Sequence, residues 1–101
     1  MSGIFQNDVQ DTAEQELKEP PRARVILLND DYTPMEFVVR LLMDIFRKTN
    51  AEAVAIMLAV HEKGRGECGV YSLEIAETKA SLVQSRARAA EFPLCCRVEL
   101  V

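Results

Sequence analysis

The apolar positions of this chain fall into short runs and helical stripes that begin after about residue 22. Residues 24–28 consist of one arginine followed by four aliphatic residues, a pattern that is typical of a strand buried on both faces. After Thr33-Pro34, apolar residues recur at a spacing of three and four, which predicts a helix that ends near residues 47–48. Thr33 with Glu36 three positions later predicts a capping box, with proline at the first helical position.

A second helix is predicted from residue 49 or 50 to about residue 62. Thr49 is a good N-cap residue, and Gly64 is a residue that commonly ends helices. The spacing of Met57, Leu58 and His61 places these three side chains on one side of the helix.

Alternating apolar residues at Tyr71, Leu73 and Ile75 predict a strand over residues 67–76. A third helix is then expected to run to about residue 91 with Leu82 turned inward, and residues 94–100 are expected to form the last strand. The order β-α-α-β-α-β with short links predicts an α+β fold in which a three-stranded antiparallel sheet packs against three helices.

The chain divides into two regions by composition. Residues 1–22 are rich in Gln, Asp and Glu and end in two prolines, which predicts a flexible N-terminal extension. Residues 23–101 carry the periodic apolar pattern and are predicted to form one core domain.

Composition and charge exclude several classes of function. A net charge of −4 without a dominant Lys/Arg patch argues against a nucleic-acid binder. No apolar run approaches the ~20 residues of a membrane span, and the first 24 residues lack a signal-peptide core, so we expect a cytoplasmic protein that does not bind membranes. Three cysteines are too few and wrongly spaced for a disulfide framework.

Motifs for metals, cofactors and catalysis are missing from the sequence. There is one histidine and no CxxC or HxxxH pair, so no metal site is expected. The sequence also lacks a Walker loop, a GxGxxG segment and a GxSxG segment. We therefore expect no cofactor and no enzymatic activity, and we expect a monomer.

The polar triplet Asn29-Asp30-Asp31 lies between the first strand and the first helix and has two interpretations. It can be a plain turn, because Asn and Asp hydrogen-bond their own backbone. It can also be a cradle for a cation, because an ammonium group has three donors and needs oxygen acceptors. His61 can likewise be a structural residue or a group at the polar mouth of an apolar pocket. Met35 can fill the core or form an adaptable pocket wall.

Four segments taken together resemble the ClpS family of adaptors for the Clp protease system: VILLNDDYTPMEFVV, IMLAVHEKGRGECGVY, EIAETKASLV and PLCCRVE. The resemblance runs from Arg24 to the C-terminus, in the order and spacing of the family. It implies an adaptor, not an enzyme. Such proteins bind substrates (N-degrons) whose N-terminal residue is Leu, Phe, Tyr or Trp with a free α-amino group. They deliver these substrates to the ClpA unfoldase for degradation by ClpP.

The resemblance also implies roles for individual residues. The contacts to the α-amino group fall on Asn29, Asp31 and His61. The hydrophobic pocket falls on Leu27, Leu28, Asp30, Thr33, Met35, Val38, Met57, Val60 and Leu94. The surface that docks on the N-domain of the unfoldase falls on Glu74, Thr78 and Lys79.

Two of these residues carry further expectations. Met35 matches the position that excludes β-branched N-terminal residues in the family. A protonated His61 would repel an ammonium group, so binding should weaken below about pH 6. The alternative function is a protein-docking module of the same α/β layer type that does not recognise N-terminal residues.

Overall fold

The computed structural model describes residues 20–101, so the predicted extension over residues 1–22 lies almost entirely outside the described residues. The described chain forms three strands and three helices: β1 (Arg22–Leu28), α1 (Met35–Phe46), α2 (Asn50–Lys63), β2 (Arg65–Ser72), α3 (Leu73–Ala89) and β3 (Cys95–Leu100). The predicted α+β fold with the order β-α-α-β-α-β is confirmed.

Strand β1 is the central strand of an antiparallel sheet with the order β2-β1-β3. Ala23, Val25 and Leu27 are fully buried and belong to the main core cluster, together with apolar residues of all three helices. Ile26 is also buried, although its cross-strand partners are the charged residues Glu67 and Arg97. The predicted burial of β1 on both faces is therefore confirmed.

Helix α1 begins one residue later than predicted, at Met35, with Pro34 as the N-cap. The predicted capping box at this end is wrong, because no side chain caps the helix. The Thr33 hydroxyl donates instead to Oδ2 of Asp30 at 2.8 Å. The N-cap position is occupied by Pro34, whose side chain has no oxygen to accept from the first N–H groups of the helix.

Helix α2 is capped at both ends. At its start, Thr49 and Glu52 form a capping box, with the Glu52 N–H donating to the Thr49 hydroxyl at 3.1 Å and the Thr49 N–H donating to the Glu52 carboxylate at 2.9 Å. At its end, Gly64 adopts φ 88°, in the left-handed region that favours glycine. The buried stripe is Ala53, Met57 and Val60, whereas Leu58 is 42% exposed.

The junction of β2 and α3 differs from the prediction. The strand ends at Ser72, and residues 73–76 are already helical. The Ser72 hydroxyl accepts from the Ile75 N–H at 3.4 Å and caps the helix, so the apparent alternation through Leu73 and Ile75 was misleading. Helix α3 buries Val83 but leaves Leu82 48% exposed, which corrects the inward placement of Leu82.

Candidate functional site

A cavity of about 180 Å³ opens where the end of β1, the following loop, α1 and α2 meet. Pockets for drug-sized ligands usually enclose about 300–1,000 Å³, so this cavity suits a single large side chain. Its lining combines polar residues at the loop with apolar residues from the helices: Leu28, Asn29, Asp30, Asp31, Thr33, Met35, Val38, Met57, Val60, His61 and Leu94.

The loop between β1 and α1 is held by the carboxylate of Asp30. Its Oδ1 accepts from the backbone N–H groups of Tyr32 at 2.8 Å and Thr33 at 2.7 Å, and its Oδ2 accepts from the Thr33 hydroxyl at 2.8 Å. Partial burial raises the pKa of Asp30, but these hydrogen bonds outweigh it, so the pKa of Asp30 lies below its usual value. Asp30 therefore stabilises the turn as an anion, as the turn interpretation of the triplet predicts for this residue.

The predicted amino-group contacts Asn29, Asp31 and His61 all line the same cavity. The backbone N–H of Asn29 donates to the carbonyl oxygen of Gly64 at 3.0 Å, which ties the loop to the end of α2. His61 lies in the last turn of α2, three residues before that glycine. The loop and the helix end thus bring together residues about thirty positions apart in the sequence.

The side chains of these three residues are available to a ligand. All three residues are exposed, and within residues 20–101 none of the side-chain hydrogen bonds or ion pairs involves Asn29, Asp31 or His61. Their amide, carboxylate and imidazole groups supply acceptors at the mouth of the cavity.

The floor of the cavity is apolar. Val38, Met57, Val60 and Leu94 are at most 9% exposed, and they come from α1, α2 and the segment before β3. Met35 is 46% exposed and stands at the mouth. An oxygen-rich rim above an apolar floor suits a cation that is attached to an apolar group.

The structure does not bring Leu27 to this cavity. Leu27 is fully buried in the core cluster, whereas its neighbour Leu28 is half-buried and lines the cavity. Successive side chains of a strand point to opposite faces, so only one of two adjacent leucines can reach the cavity.

Two of the three predicted docking residues share a surface. Glu74 and Thr78 are exposed and lie in a shallow depression on α3, which also includes Glu77, Ser81 and Leu82. Consecutive turns of one helix carry these side chains, so they form one continuous polar strip with an exposed leucine at its end.

Lys79, the third predicted docking residue, is directed elsewhere. Its Nζ donates to the carbonyl oxygen of Ile45 at 2.7 Å, in the last turn of α1. The same ammonium group lies 5.7 Å from the ring centroid of Phe46 and 5.2 Å from that of Tyr71. A cation is favoured at a helix C-terminus and over aromatic faces, so Lys79 fastens α3 to α1.

A second depression, which sequence reasoning missed, lies beside the cavity. We call it the methionine groove, and it is lined by Met35, Glu36, Val39, Arg40, Met43, Asp44, Asn50 and Met57. A signal for it exists in the sequence: Met35, Val39 and Met43 recur every four residues, a second apolar stripe next to the buried face of α1. Met35 and Met57 belong to both depressions.

Other kinds of site find little support among residues 20–101. No group of three or more His, Cys, Asp or Glu side chains there could hold a metal ion, and no helix there is long and apolar enough to cross a membrane. Burial raises the pKa of the Cys68 thiol to about 12 and that of the Cys96 thiol to about 11. Both thiols are therefore protonated at neutral pH and poorly nucleophilic.

Comparisons with known proteins identify a family that this chain matches. The family model described as "ATP-dependent Clp protease adaptor protein ClpS" matches residues 18–97. An ATP-dependent Clp protease adapter protein ClpS from Oleidesulfovibrio alaskensis is 62% identical over 88 residues, which cover 87% of this chain and 85% of that protein. A protein of the same description from Shewanella piezotolerans is 53% identical over 91 residues, covering 90% of this chain and 89% of that protein.

A solved structure is similar over most of the fold. Agrobacterium tumefaciens ClpS2, bound to L-phenylalaninamide, aligns with a TM-score of 0.80 and 37% sequence identity, covering 82% of this chain and 100% of that chain. The family model spans most of the described chain, and the relatives share more than half of their aligned residues with it. The chain therefore belongs to the ClpS family of ATP-dependent Clp protease adaptor proteins.

Proposed function

We propose that this adaptor binds proteins whose N-terminal residue is Leu, Phe, Tyr or Trp with a free α-amino group. We further propose that it delivers them to a ClpA-type unfoldase for degradation by ClpP. One observation carries the proposal: Asn29, Asp31 and His61 converge at the mouth of an apolar cavity sized for one side chain. The ligand of the similar ClpS2 structure, phenylalaninamide, supports it, because it has the free amine, the aromatic side chain and the amide carbonyl of an N-terminal phenylalanine.

The polar rim accounts for recognition of a chain end. An α-amino group with a pKa of about 7.7–8.0 is largely cationic at neutral pH and offers three donors. An internal residue has one N–H in a peptide bond and no charge. Such a residue would leave the acceptors of Asn29, Asp31 and His61 without partners on a partly desolvated rim, which is unfavourable.

The apolar floor accounts for selection of the side chain. Burial of a large apolar side chain contributes about 1.5–3 kcal/mol, which corresponds to roughly tenfold to hundredfold tighter binding than for alanine. Val38 and Met57 form part of this floor from different helices, so the cavity is enclosed from two sides. The flexible side chains of Met35 and Met57, which both line the cavity, can adjust to aromatic rings and to leucine.

A peptide titration tests the proposal. Fluorescence anisotropy would be measured with decapeptides that are identical except for an N-terminal Phe, Leu or Ala, and with the Phe peptide acetylated at its amino group. We expect the Phe and Leu peptides to bind, the Ala peptide to bind at least tenfold more weakly, and acetylation to abolish binding. Equal affinity for the acetylated and free Phe peptides would refute recognition of the amino group and favour a docking module without it.

Delivery requires a second surface, for which Glu74 and Thr78 on α3 are the candidates. Lys79, the third candidate, holds α3 against α1. We expect Glu74→Arg to weaken binding to the isolated N-domain of a ClpA-type unfoldase while the affinity for the Phe peptide stays unchanged. Unchanged binding of the N-domain would remove Glu74 from the docking surface.

A further inference from the structure

The methionine groove is continuous with the cavity that receives the N-terminal residue. The two depressions share Met35 and Met57, and the groove encloses about 490 Å³, more than twice the volume of the cavity. Met35 is 46% exposed and stands between them, so a chain that leaves the cavity on this side passes directly over its side chain into the groove.

The length of the groove matches a short peptide. Its lining residues on α1 extend from Met35 at least to Met43, which is eight steps along the helix and therefore about 12 Å at 1.5 Å per residue. An extended chain advances about 3.3–3.6 Å per residue, so the groove spans three to four residues. With the first residue in the cavity and the second crossing Met35, the third and fourth residues lie along the groove.

The chemistry of the groove favours apolar side chains. Val39 and Met43 are half-buried, and together with the two shared methionines they form an apolar floor. Two of the four polar residues at its margin are already engaged, whereas Glu36 and Arg40 are exposed to solvent. The Asp44 carboxylate accepts from Arg86 at 3.1 Å, and the Asn50 amide donates to the Met43 sulfur at 3.8 Å. Flexible thioethers accommodate side chains of several shapes, so the floor suits apolar residues in general.

We propose that the methionine groove is a second subsite of this adaptor, which binds apolar side chains at the third and fourth positions of the substrate. The proposal rests on the proposed recognition of N-terminal residues. It predicts that affinity depends on the substrate beyond its first residue, through contacts that Phe-amide alone cannot make.

Methyl NMR of the unaltered protein tests the proposal directly. The protein would carry methyl-labelled methionine and be titrated with Phe-amide, with Phe-Ser-Ser-Ser-amide and with Phe-Ser-Leu-Leu-amide. We expect Phe-amide to shift the methyl resonances of Met35 and Met57, which line the cavity, and to leave that of Met43 unchanged. Only Phe-Ser-Leu-Leu-amide should shift the Met43 resonance. A Met43 resonance that is the same with all three ligands would overturn the subsite.

A matched pair of variants provides an independent measurement. Met43→Ser removes an apolar side chain from the groove, and Leu82→Ser removes one from the exposed surface of α3. The unaltered protein should bind Phe-Ser-Leu-Leu-amide roughly tenfold more tightly than Phe-Ser-Ser-Ser-amide. This ratio should fall at least threefold in Met43→Ser and stay the same in Leu82→Ser. Both variants should bind Phe-amide as the unaltered protein does, which shows that the fold and the first cavity are intact.

The possible failures are distinguishable. If the unaltered protein does not bind Phe-amide, the proposed function fails and the subsite fails with it. If Phe-amide binds but the peptide ratio is the same in Met43→Ser and Leu82→Ser, the subsite alone is overturned. If Met43→Ser cannot bind Phe-amide because it does not fold, the methyl spectra of the unaltered protein decide.

Discussion

Replacing Asp30 by alanine removes the acceptor of three hydrogen bonds that close the loop between β1 and α1. Two of these bonds satisfy the backbone N–H groups of Tyr32 and Thr33, and the third holds the Thr33 hydroxyl. Hydrogen bonds to a charged acceptor stabilise a fold more than neutral ones do, but this loop is only partly buried and water can replace the lost acceptor. We therefore expect Asp30→Ala to lower the free energy of unfolding by about 1–2 kcal/mol.

Thermal and urea unfolding at neutral pH measure this change. For a domain of this size, 1–2 kcal/mol corresponds to a Tm lower by about 4–15 °C. The pKa of Asp30 is below its usual value, so the anion contributes stability above the unfolded pKa of about 3.9 and loses it as the pH falls through the lower folded value. The difference in stability between the unaltered protein and Asp30→Ala should be constant above about pH 5 and shrink below about pH 4.

Asp31→Ala is the matched control, because it removes the same group one residue later. Asp31 is exposed, and none of the hydrogen bonds formed by side chains of residues 20–101 involves it. We expect its Tm to change by no more than about 1–2 °C, whereas its affinity for Phe-amide should fall about tenfold or more. We assign stabilisation of the loop to Asp30 and binding of the ligand to Asp31. This assignment would be refuted if both variants lost the same stability, or if Asp30→Ala lost none.

Three further variants examine the surroundings of the cavity. Met35 lines the cavity, and if it excludes side chains branched at Cβ, Met35→Ala should extend binding to peptides that begin with Val or Ile; unchanged selectivity in the titration would contradict this. Lys79→Met should lower the free energy of unfolding by about 1–2 kcal/mol through loss of the bond to Ile45, with unchanged affinity for Phe-amide; an unchanged urea midpoint would refute it. Gly66→Ala would place a methyl group 2.7 Å from a methyl group of Val60. It should cost about 1–3 kcal/mol and weaken binding of Phe-amide, since Val60 lines the cavity, and wild-type stability would contradict this.

Local patterns predicted most of the fold because they report strong local preferences. The aliphatic run of β1 predicted burial on both faces, and Thr49 predicted the start of a helix; both occur as predicted. The errors lie where two local signals compete. Leu73 and Ile75 alternate as in a strand, but the Ser72 cap and the packing of α3 against the sheet make these residues helical.

Candidate site residues could be named from the sequence because their types are unusual in their setting. Two carboxylates and an amide in one short loop, with a single histidine at a helix end, left a plain turn and a cradle for a cation both open, and the segments that resemble the family favoured the cradle. The methionine groove was not predicted from the sequence, because Val39 and Met43 look like ordinary helix positions. Only the position of α2 beside α1 turns them into the wall of a depression.

The sequence by itself determined the elements, their order and the residue types available for binding, because apolar periodicity, caps and turn residues act over a few positions. It could not assign partners over long separations. That Lys79 reaches the carbonyl oxygen of Ile45, and that the Asn29 N–H reaches the carbonyl oxygen of Gly64, depends on the distances between elements after packing. The tertiary structure decided these roles, because a hydrogen bond forms only where folding brings donor and acceptor within about 3 Å.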